Sequence, residues 1–276
     1  MNNSMDRYAV FGNPIAHSKS PILHKAFAEE THQRLVYTSQ CVDVSLFIDA
    51  ANTFFANEGL GLNITVPFKT DAFNFANKLT SRAKRAGAVN TLFLDDNKNI
   101  IGDNTDGVGL VNDITENLLW SLKDKDILIV GAGGAVRGIL EPFIGQHPKS
   151  ITLVNRTVKK AVSLSQEFSD IFPIEACSFS GLGNKSFDII INGTSASLTG
   201  DLPPLPSSVI HSDSNCYDMM YSKELTPFLK WAQQNGCKNT SDGLGMLVCQ
   251  GAESFFIWRK IKPSTTELIK KLRKIL

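Results

Sequence analysis

The run Asp126-Ile-Leu-Ile-Val130 constrains the chain more than any other segment, because its apolar side chains are unbroken and then stop at Gly131-Ala-Gly-Gly134. A strand with one wet face alternates apolar and polar residues; a short strand apolar throughout must be covered on both faces, as in a parallel sheet sandwiched by helices. The pattern recurs downstream, with strands predicted at 151–155, 174–176, 188–192 and 216–219 and helices from about 134 and over 158–168. The first hundred residues alternate in the same way, with strands at 8–12, 35–42, 60–66 and 90–94 and helices at about 21–31, 45–57 and 68–77. Asp95-Asp-Asn-Lys98 reads as a turn joining 90–94 to 99–102 in a hairpin. A helix is predicted over 107–118, a loop at Leu202-Pro-Pro-Leu-Pro-Ser207, and two closing helices over 245–259 and 264–275. The expected class is therefore α/β with largely parallel sheets.

Composition narrows the functional classes. With 42% hydrophobic and 20% charged residues, the 276-residue chain can bury a core, and disorder is excluded. Its 28 basic and 27 acidic residues give a net charge of +1, which supplies no general field for nucleic acid or an anionic membrane. Five cysteines without a Cys-x-x-Cys spacing suggest neither a disulfide scaffold nor a zinc site, and the five histidines contain no i, i+4 pair, so no metal is expected. No apolar stretch approaches the roughly 18 residues of a membrane span, and the first residues lack the apolar core of a secretory signal. The expectation is a cytoplasmic protein acting on a small molecule, with monomer and homodimer both open.

The Gly131-Ala-Gly-Gly-Ala135 turn follows a buried strand and opens a helix, where glycines let phosphate oxygens approach backbone N–H groups. It is Gly-x-Gly-x-x-Val, without the third glycine of the usual dinucleotide fingerprint. The next strand ends at Asn155-Arg-Thr157, followed by Lys159 and Lys160. An NAD site places a carboxylate at this strand end for the ribose hydroxyls. Here Arg156 stands instead, and a guanidinium can grip a 2′-phosphate with two hydrogen bonds. The residue chemistry favours NADP over NAD; the competing reading is a solvated helix start.

Three polar clusters lie outside this unit. Gly12-Asn-Pro-Ile-Ala-His-Ser-Lys-Ser-Pro21 offers the hydroxyls of Ser18 and Ser20 to a polyol or carboxylate, although Ser20 could equally N-cap the helix begun by Pro21. In Asn63-Ile-Thr-Val-Pro-Phe-Lys69 the strand period puts Asn63 and Thr65 on one face and leaves Lys69 at the strand's C-terminal edge, where α/β sheets hold ligands. Gly102-Asp-Asn-Thr-Asp-Gly107 places Asp106 at another strand-to-helix junction, as N-cap or as partner for a lysine. Asn90 is a further polar residue at a strand start.

Taken together, these segments resemble the shikimate dehydrogenase family over nearly the whole chain. The matching motifs are Val10-Phe-Gly-Asn-Pro-Ile-Ala-His-Ser-Lys-Ser-Pro21, Asn63-Ile-Thr-Val-Pro-Phe-Lys69, Ala86-Gly-Ala-Val-Asn-Thr91, Gly102-Asp-Asn-Thr-Asp-Gly107, Gly131-Ala-Gly-Gly-Ala135, Asn155-Arg-Thr157, Cys216-Tyr-Asp-Met219 and Asp242-Gly-Leu-Gly-Met246 followed by Gln250. The resemblance implies a substrate-binding catalytic domain of residues 1–105 plus 242–276, a Rossmann-type NADP-binding domain of residues 106–241, and a deep cleft separating them. It implies reversible NADPH-dependent reduction of 3-dehydroshikimate to shikimate, a step towards aromatic amino acids. Lys69 and Asp106 would be the acid/base pair. Ser18, Ser20, Thr65, Asn90, Tyr221 and Gln250 would hold substrate, with Asn63 lining the same pocket. Gly131, Ala132, Gly133, Gly134 and Ala135 would cradle the pyrophosphate; Asn155, Arg156, Thr157 and Lys160 would take the adenosine phosphate; Met219 and Gly243 would line the nicotinamide pocket. Three positions depart from the family pattern: Val136 for a smaller residue, Lys160 for a second arginine, and Ser81 for an acid. A relative that also oxidises quinate, and a dinucleotide-binding protein without catalysis, are the alternatives.

Overall fold

Strand β1 (Asp6–Gly12) is buried from Tyr8 to Gly12, because neighbours flank it in the sheet and helices cover both faces. The computed structural model describes residues 5–198 and 200–276, which divide into two units. The first comprises the described residues up to Gly109 with Val248–Leu268; the second comprises Leu110–Leu247 with Ile269–Leu276. The chain thus changes unit within helices, a few residues from the joins at 105/106 and 241/242 that the motifs suggest.

In the first unit β1 is joined by β2 (Leu35–Cys41), β3 (Gly59–Ile64), β4 (Lys78–Leu79), β5 (Thr91–Leu94) and β6 (Ile100–Asp103) in the order β2-β1-β3-β5-β6-β4. The β1–β2, β1–β3 and β4–β6 pairs are parallel; β5 and β6 form the expected hairpin and β5 also runs antiparallel to β3. Helices α1 (Ser20–Glu30), α2 (Phe47–Ala56), α3 (Lys69–Phe75) and α4 (Ser81–Ala86) connect the strands, and α5 (Asp106–Asn112) leads out of the unit. One core cluster joins Phe11, Phe47, Phe54, Leu62, Phe68 and Leu92.

The opposite side of this sheet carries an aromatic group: Tyr8 stacks on Trp258, and His24 lies flat on Tyr37 with ring centroids 4.1 Å apart. His24 is 1% exposed and its Nδ1 has no hydrogen-bond partner among the described residues. Burial lowers its pKa to about 3, against the opposing pull of a hydrogen bond with the Asn63 side chain. The folded protein therefore keeps this imidazole neutral where the unfolded chain protonates it. Stability contributed here is complete above about pH 6.5 and declines as pH falls towards 3, by at most about 1.4 kcal/mol per pH unit. His24→Phe should flatten that slope in denaturant unfolding measured between about pH 5 and 7. An unchanged slope would mean that another group sets the acid limb.

The second unit is wholly parallel. Its strands are β7 (Asp126–Val130), β8 (Ser150–Val154), β9 (Ile174–Cys177), β10 (Ile189–Asn192), β11 (Asn215–Asp218) and β12 (Asn239–Asp242), ordered β12-β11-β10-β7-β8-β9. Counted within the unit from β7, and read from the β9 edge, this is 3-2-1-4-5-6, the doubly wound order whose ligand site lies where the winding reverses, between β7 and β10. Ile127 and Ile129 enter one core cluster, Leu128 and Val130 the other, so the unbroken apolar run is buried on both faces as its sequence requires. Helices α6 (Gly134–Ile144), α7 (Val158–Glu167), α8 (Pro227–Gln234), α9 (Leu244–Arg259) and α10 (Thr266–Arg273) complete the fold. No helix among the described residues is long and apolar enough to cross a membrane.

Some local expectations change. The helix expected over 107–118 begins at Asp106, is α-helical to Asn112 and widens into a π turn over Asp113–Asn117. Strand β3 stops at Ile64, since Val66 is exposed and the chain turns through Thr65–Phe68. Elements β4, α4, α8 and β12 were not expected. The first two are too short to show a period, and β12 is Asn-Thr-Ser-Asp, with no apolar residue.

Candidate active site

In the first unit the ends of β3 and β6 bring a lysine and a carboxylate together. Lys69 is the first residue of α3 and Asp106 the first of α5, so both side chains stand where a strand gives way to a helix. Lys69 Nζ donates to Asp106 Oδ2 at 2.6 Å. Lys69 is one-third exposed, Asp106 about half as much, which leaves the ammonium reachable by a ligand. Asp106 does not cap its helix with its side chain: Asn90 Nδ2 donates to its other oxygen at 2.8 Å. The carboxylate is thereby fixed at both oxygens.

Asn90 is the hub, 2% exposed. Its Nδ2 also faces Thr105 Oγ1 at 3.0 Å and Gln250 Oε1 at 3.5 Å, and its Oδ1 accepts from Thr105 N–H and from Thr91 Oγ1. Asn63 is engaged just as fully, donating to Ser254 Oγ, Thr91 Oγ1 and the Asn90 carbonyl while accepting from Tyr37 OH. It acts as framing for the pocket, with its own polar atoms already satisfied. Thr65 is half-buried in the turn after β3, its N–H bonded to the Phe11 carbonyl. Ser20 starts α1 but does not cap it; the N-cap is Lys19, Ser18 Oγ accepts from Ser20 N–H, and Ser20 is hydrogen-bonded through its side chain to Tyr37. Both serines remain half-buried. Thus Lys69, Asn90, Asp106 and Gln250 meet directly, and Tyr37 links Ser20 to Asn63.

In the second unit an open cavity of about 810 Å³ lies at the C-terminal ends of β7, β8 and β10. Gly131, Ala132, Gly133, Gly134, Ala135, Asn155, Arg156, Thr157 and Lys160 all line it. Gly131 has φ +115°, a region that L side chains rarely enter, so the turn into α6 needs glycine. A Cβ at Gly133 or Gly134 would meet nothing, which shows open space before the first N–H groups of α6. The Asn155 side chain donates to the Thr157 carbonyl and closes the turn that displays Arg156. Arg156 and Lys160 are exposed, and neither pairs with a carboxylate among the described residues. Two free cations beside an N-terminal helix cradle fit a dinucleotide carrying an additional phosphate. Val136 is fully buried, filling space against Gly193.

Met219 and Gly243 are neighbours, but Met220 rather than Met219 is on the cavity wall. A Cβ on Gly243 would lie 2.1 Å from the Met219 carbonyl oxygen, so no other residue fits there. Tyr221 belongs to this unit and is half-buried; burial and then the charge of Asp242 push its hydroxyl pKa up. The residues that sequence reasoning missed are Ser254 and Thr105 around Asn90, and Phe179, Gly193–Ala196 and Asp201–Pro204 around the cavity. Residues 193–204 of the second group follow β10 and Phe179 follows β9, and the end of a third parallel strand beside a glycine-rich turn was the available signal for the former. Among the described residues no cluster of His, Cys, Asp or Glu is placed to hold a metal.

Three family models match: the shikimate dehydrogenase substrate binding domain over residues 10–92, shikimate / quinate 5-dehydrogenase over 113–199, and the shikimate 5′-dehydrogenase C-terminal domain over 243–273. A shikimate dehydrogenase (NADP(+)) of Cellvibrio japonicus is 54% identical, covering 98% of either chain. The crystal structure of an Ael1 enzyme from Pseudomonas putida matches with TM-score 0.93 and 43% identity over 97% of this chain and 98% of that one. Shikimate 5-dehydrogenase of Thermus thermophilus, solved in complex with NADP(H) and shikimate, matches with TM-score 0.86 and 27% identity over 99% and 100%.

Proposed function

The chain belongs to the shikimate dehydrogenase family, and from that premise we propose that it catalyses the reversible NADPH-dependent reduction of 3-dehydroshikimate to shikimate, with Lys69 and Asp106 as the acid/base pair. The observation that carries the reading is the accessible Lys69 ammonium, 2.6 Å from a carboxylate whose other oxygen is held by Asn90.

NADPH, when bound, supplies a hydride to the ketone carbon. Negative charge then develops on the ketone oxygen, and the Lys69 ammonium stabilises that charge and gives up its proton. In reverse the neutral amine accepts the proton from the substrate hydroxyl. Asp106 keeps the lysine side chain aimed and hydrogen-bonded through both states, while Asn90 prevents the carboxylate from turning away. Ser18, Ser20, Thr65, Asn90 and Gln250 hold the substrate's hydroxyls and carboxylate against the framework that Asn63 completes. The turn from Gly131 to Ala135 takes the pyrophosphate, Asn155, Arg156, Thr157 and Lys160 the 2′-phosphate side, and the wall at Met220 the nicotinamide, with Met219 and Gly243 packed beside Met220. We assign substrate binding to the first unit and dinucleotide binding to the second. A cytoplasmic location fits five cysteines that are all free thiols.

The test is turnover followed by nicotinamide absorbance, with NADPH or NADH against 3-dehydroshikimate, quinate being offered with the oxidised cofactors. Rapid oxidation of NADPH by 3-dehydroshikimate, with quinate and NADH poor, is expected. Preferred turnover of quinate would move the protein to the other activity in the family description, and binding of NADPH without turnover would overturn the catalytic reading.

A further inference from the structure

Arg82, in the first turn of α4, touches neither Lys69 nor Asp106, yet it grips both segments that deliver side chains to Asn90. Its Nε and Nη2 donate to the two oxygens of Asp103, each at 2.7 Å, and Nη1 and Nη2 both donate to Glu253 Oε1 at 3.0 Å. Asp103 ends β6, three residues before Asp106. Its Oδ1 accepts the Asn104 N–H at 2.7 Å, and Asn104 Oδ1 in turn accepts the Asp106 N–H at 3.1 Å while Asn104 Nδ2 is tied to the Ala88 carbonyl. Glu253 lies three residues after Gln250 on α9, the spacing that puts two side chains on one helical face. One guanidinium thus spans the turn that presents Asp106 and the helix that presents Gln250.

The arrangement is stiff. Asp103 is 4% exposed and also accepts from Thr80 Oγ1, the N-cap of α4. Burial pushes the Asp103 carboxyl up, but the hydrogen bonds and charge of Arg82, with Thr80 and the Asn104 N–H, outweigh it and hold the group ionised. A planar fork that binds one carboxylate with two parallel bonds and reaches a second is a task a lysine cannot repeat.

We propose that Arg82 is a positioning residue of the reaction: through Asp103 and Asn104 it sets the Asp106 carboxylate against Lys69, and through Glu253 it sets Gln250 against the substrate. The proposal rests on the reading of Lys69 and Asp106 as the acid/base pair. A misplacement of about 1 Å at a reacting group can cost on the order of 100-fold in rate, so losses of that scale follow without any contact to substrate.

The experiment compares steady-state kinetics of wild type, Arg82→Lys, Asn104→Ala, Glu253→Gln, Asp106→Asn and the Arg82→Lys/Asp106→Asn pair, with Lys69→Ala alongside and a thermal melt of each. Arg82→Lys keeps the charge and should lower kcat by about 10- to 100-fold in protein that is folded at the assay temperature. Asn104→Ala should lower kcat with little change in KM for 3-dehydroshikimate, whereas Glu253→Gln should raise KM and spare kcat. In the Asp106→Asn background Arg82→Lys should lower kcat little further, because its route to the Lys69 pair is already cut, while its effect on KM through Glu253 should persist. A kcat for Arg82→Lys within twofold of wild type, or full multiplication of the two losses, beside an inactive Lys69→Ala, overturns the positioning role alone. If Arg82→Lys does not fold, Asn104→Ala decides the first arm on the same criteria. Full activity in Lys69→Ala overturns the acid/base reading itself, and the proposal with it.

Discussion

Lys69→Ala is expected to lower kcat for reduction of 3-dehydroshikimate by about 10²- to 10⁴-fold, the range in which a positioned proton donor contributes. KM should change by no more than a few-fold, since the proposed assignment gives the substrate's hydroxyls and carboxylate other partners, among them Asn90 and Gln250. The substitution removes a partly exposed ammonium, and its pair with Asp106 is the kind of solvent-screened contact whose loss costs little stability. A melt close to wild type should therefore accompany the kinetic loss. Steady-state kinetics over a range of substrate concentrations checks this. An increase confined to KM would assign Lys69 to binding, and the proton would have to come from another group.

The second large effect is at the cofactor. Arg156→Glu should weaken NADPH by at least about 10- to 100-fold in a fluorescence titration, as expected for losing charge-assisted hydrogen bonds worth roughly 1.5–3 kcal/mol. It should leave NADH binding unchanged or improved, because a carboxylate at the end of β8 can accept from the ribose hydroxyls. Lys160 lines the same cavity and should retain part of the NADPH preference in Arg156→Ala, where no opposing charge is introduced. Equal weakening of both cofactors would place Arg156 against a part of the dinucleotide that the two share.

Where neighbouring residues form one turn or junction, its place in the fold was readable. The apolar run ending in Gly131, the Arg156 turn, and the junctions carrying Lys69 and Asp106 follow from strand burial, helix-start geometry and charge. The hub around Asn90 was not readable in that way. Asn63 meets Ser254 across 191 positions of sequence, and Ser254 sits mid-helix with no local sign of a polar partner. Arg82 was hidden for a related reason: α4 has six residues and no apolar period, so its side chains look like a basic surface until the Asp103 and Glu253 carboxylates are seen around one of them. Ser20 shows the reverse case: a local rule left a helix cap open beside ligand binding, and the structure gives the residue a tertiary partner, Tyr37, with Lys19 at the cap.

One face of the first unit's sheet is covered by residues 248–268, made roughly 140 residues after Gly109. At a synthesis rate of about 5–20 residues per second, that interval lasts on the order of ten to thirty seconds. Throughout it the nascent amino-terminal half has its strands but lacks Phe255 and Trp258, which in the finished protein pack over His24, Tyr8 and Tyr37. Lys69 and Asp106 are made early, yet Gln250, Glu253 and Ser254 arrive only with the same late helix. On the ribosome, the half that carries Lys69 and Asp106 waits with an uncovered aromatic face, while the half that carries the Gly131 turn has its sheet complete once β12 emerges.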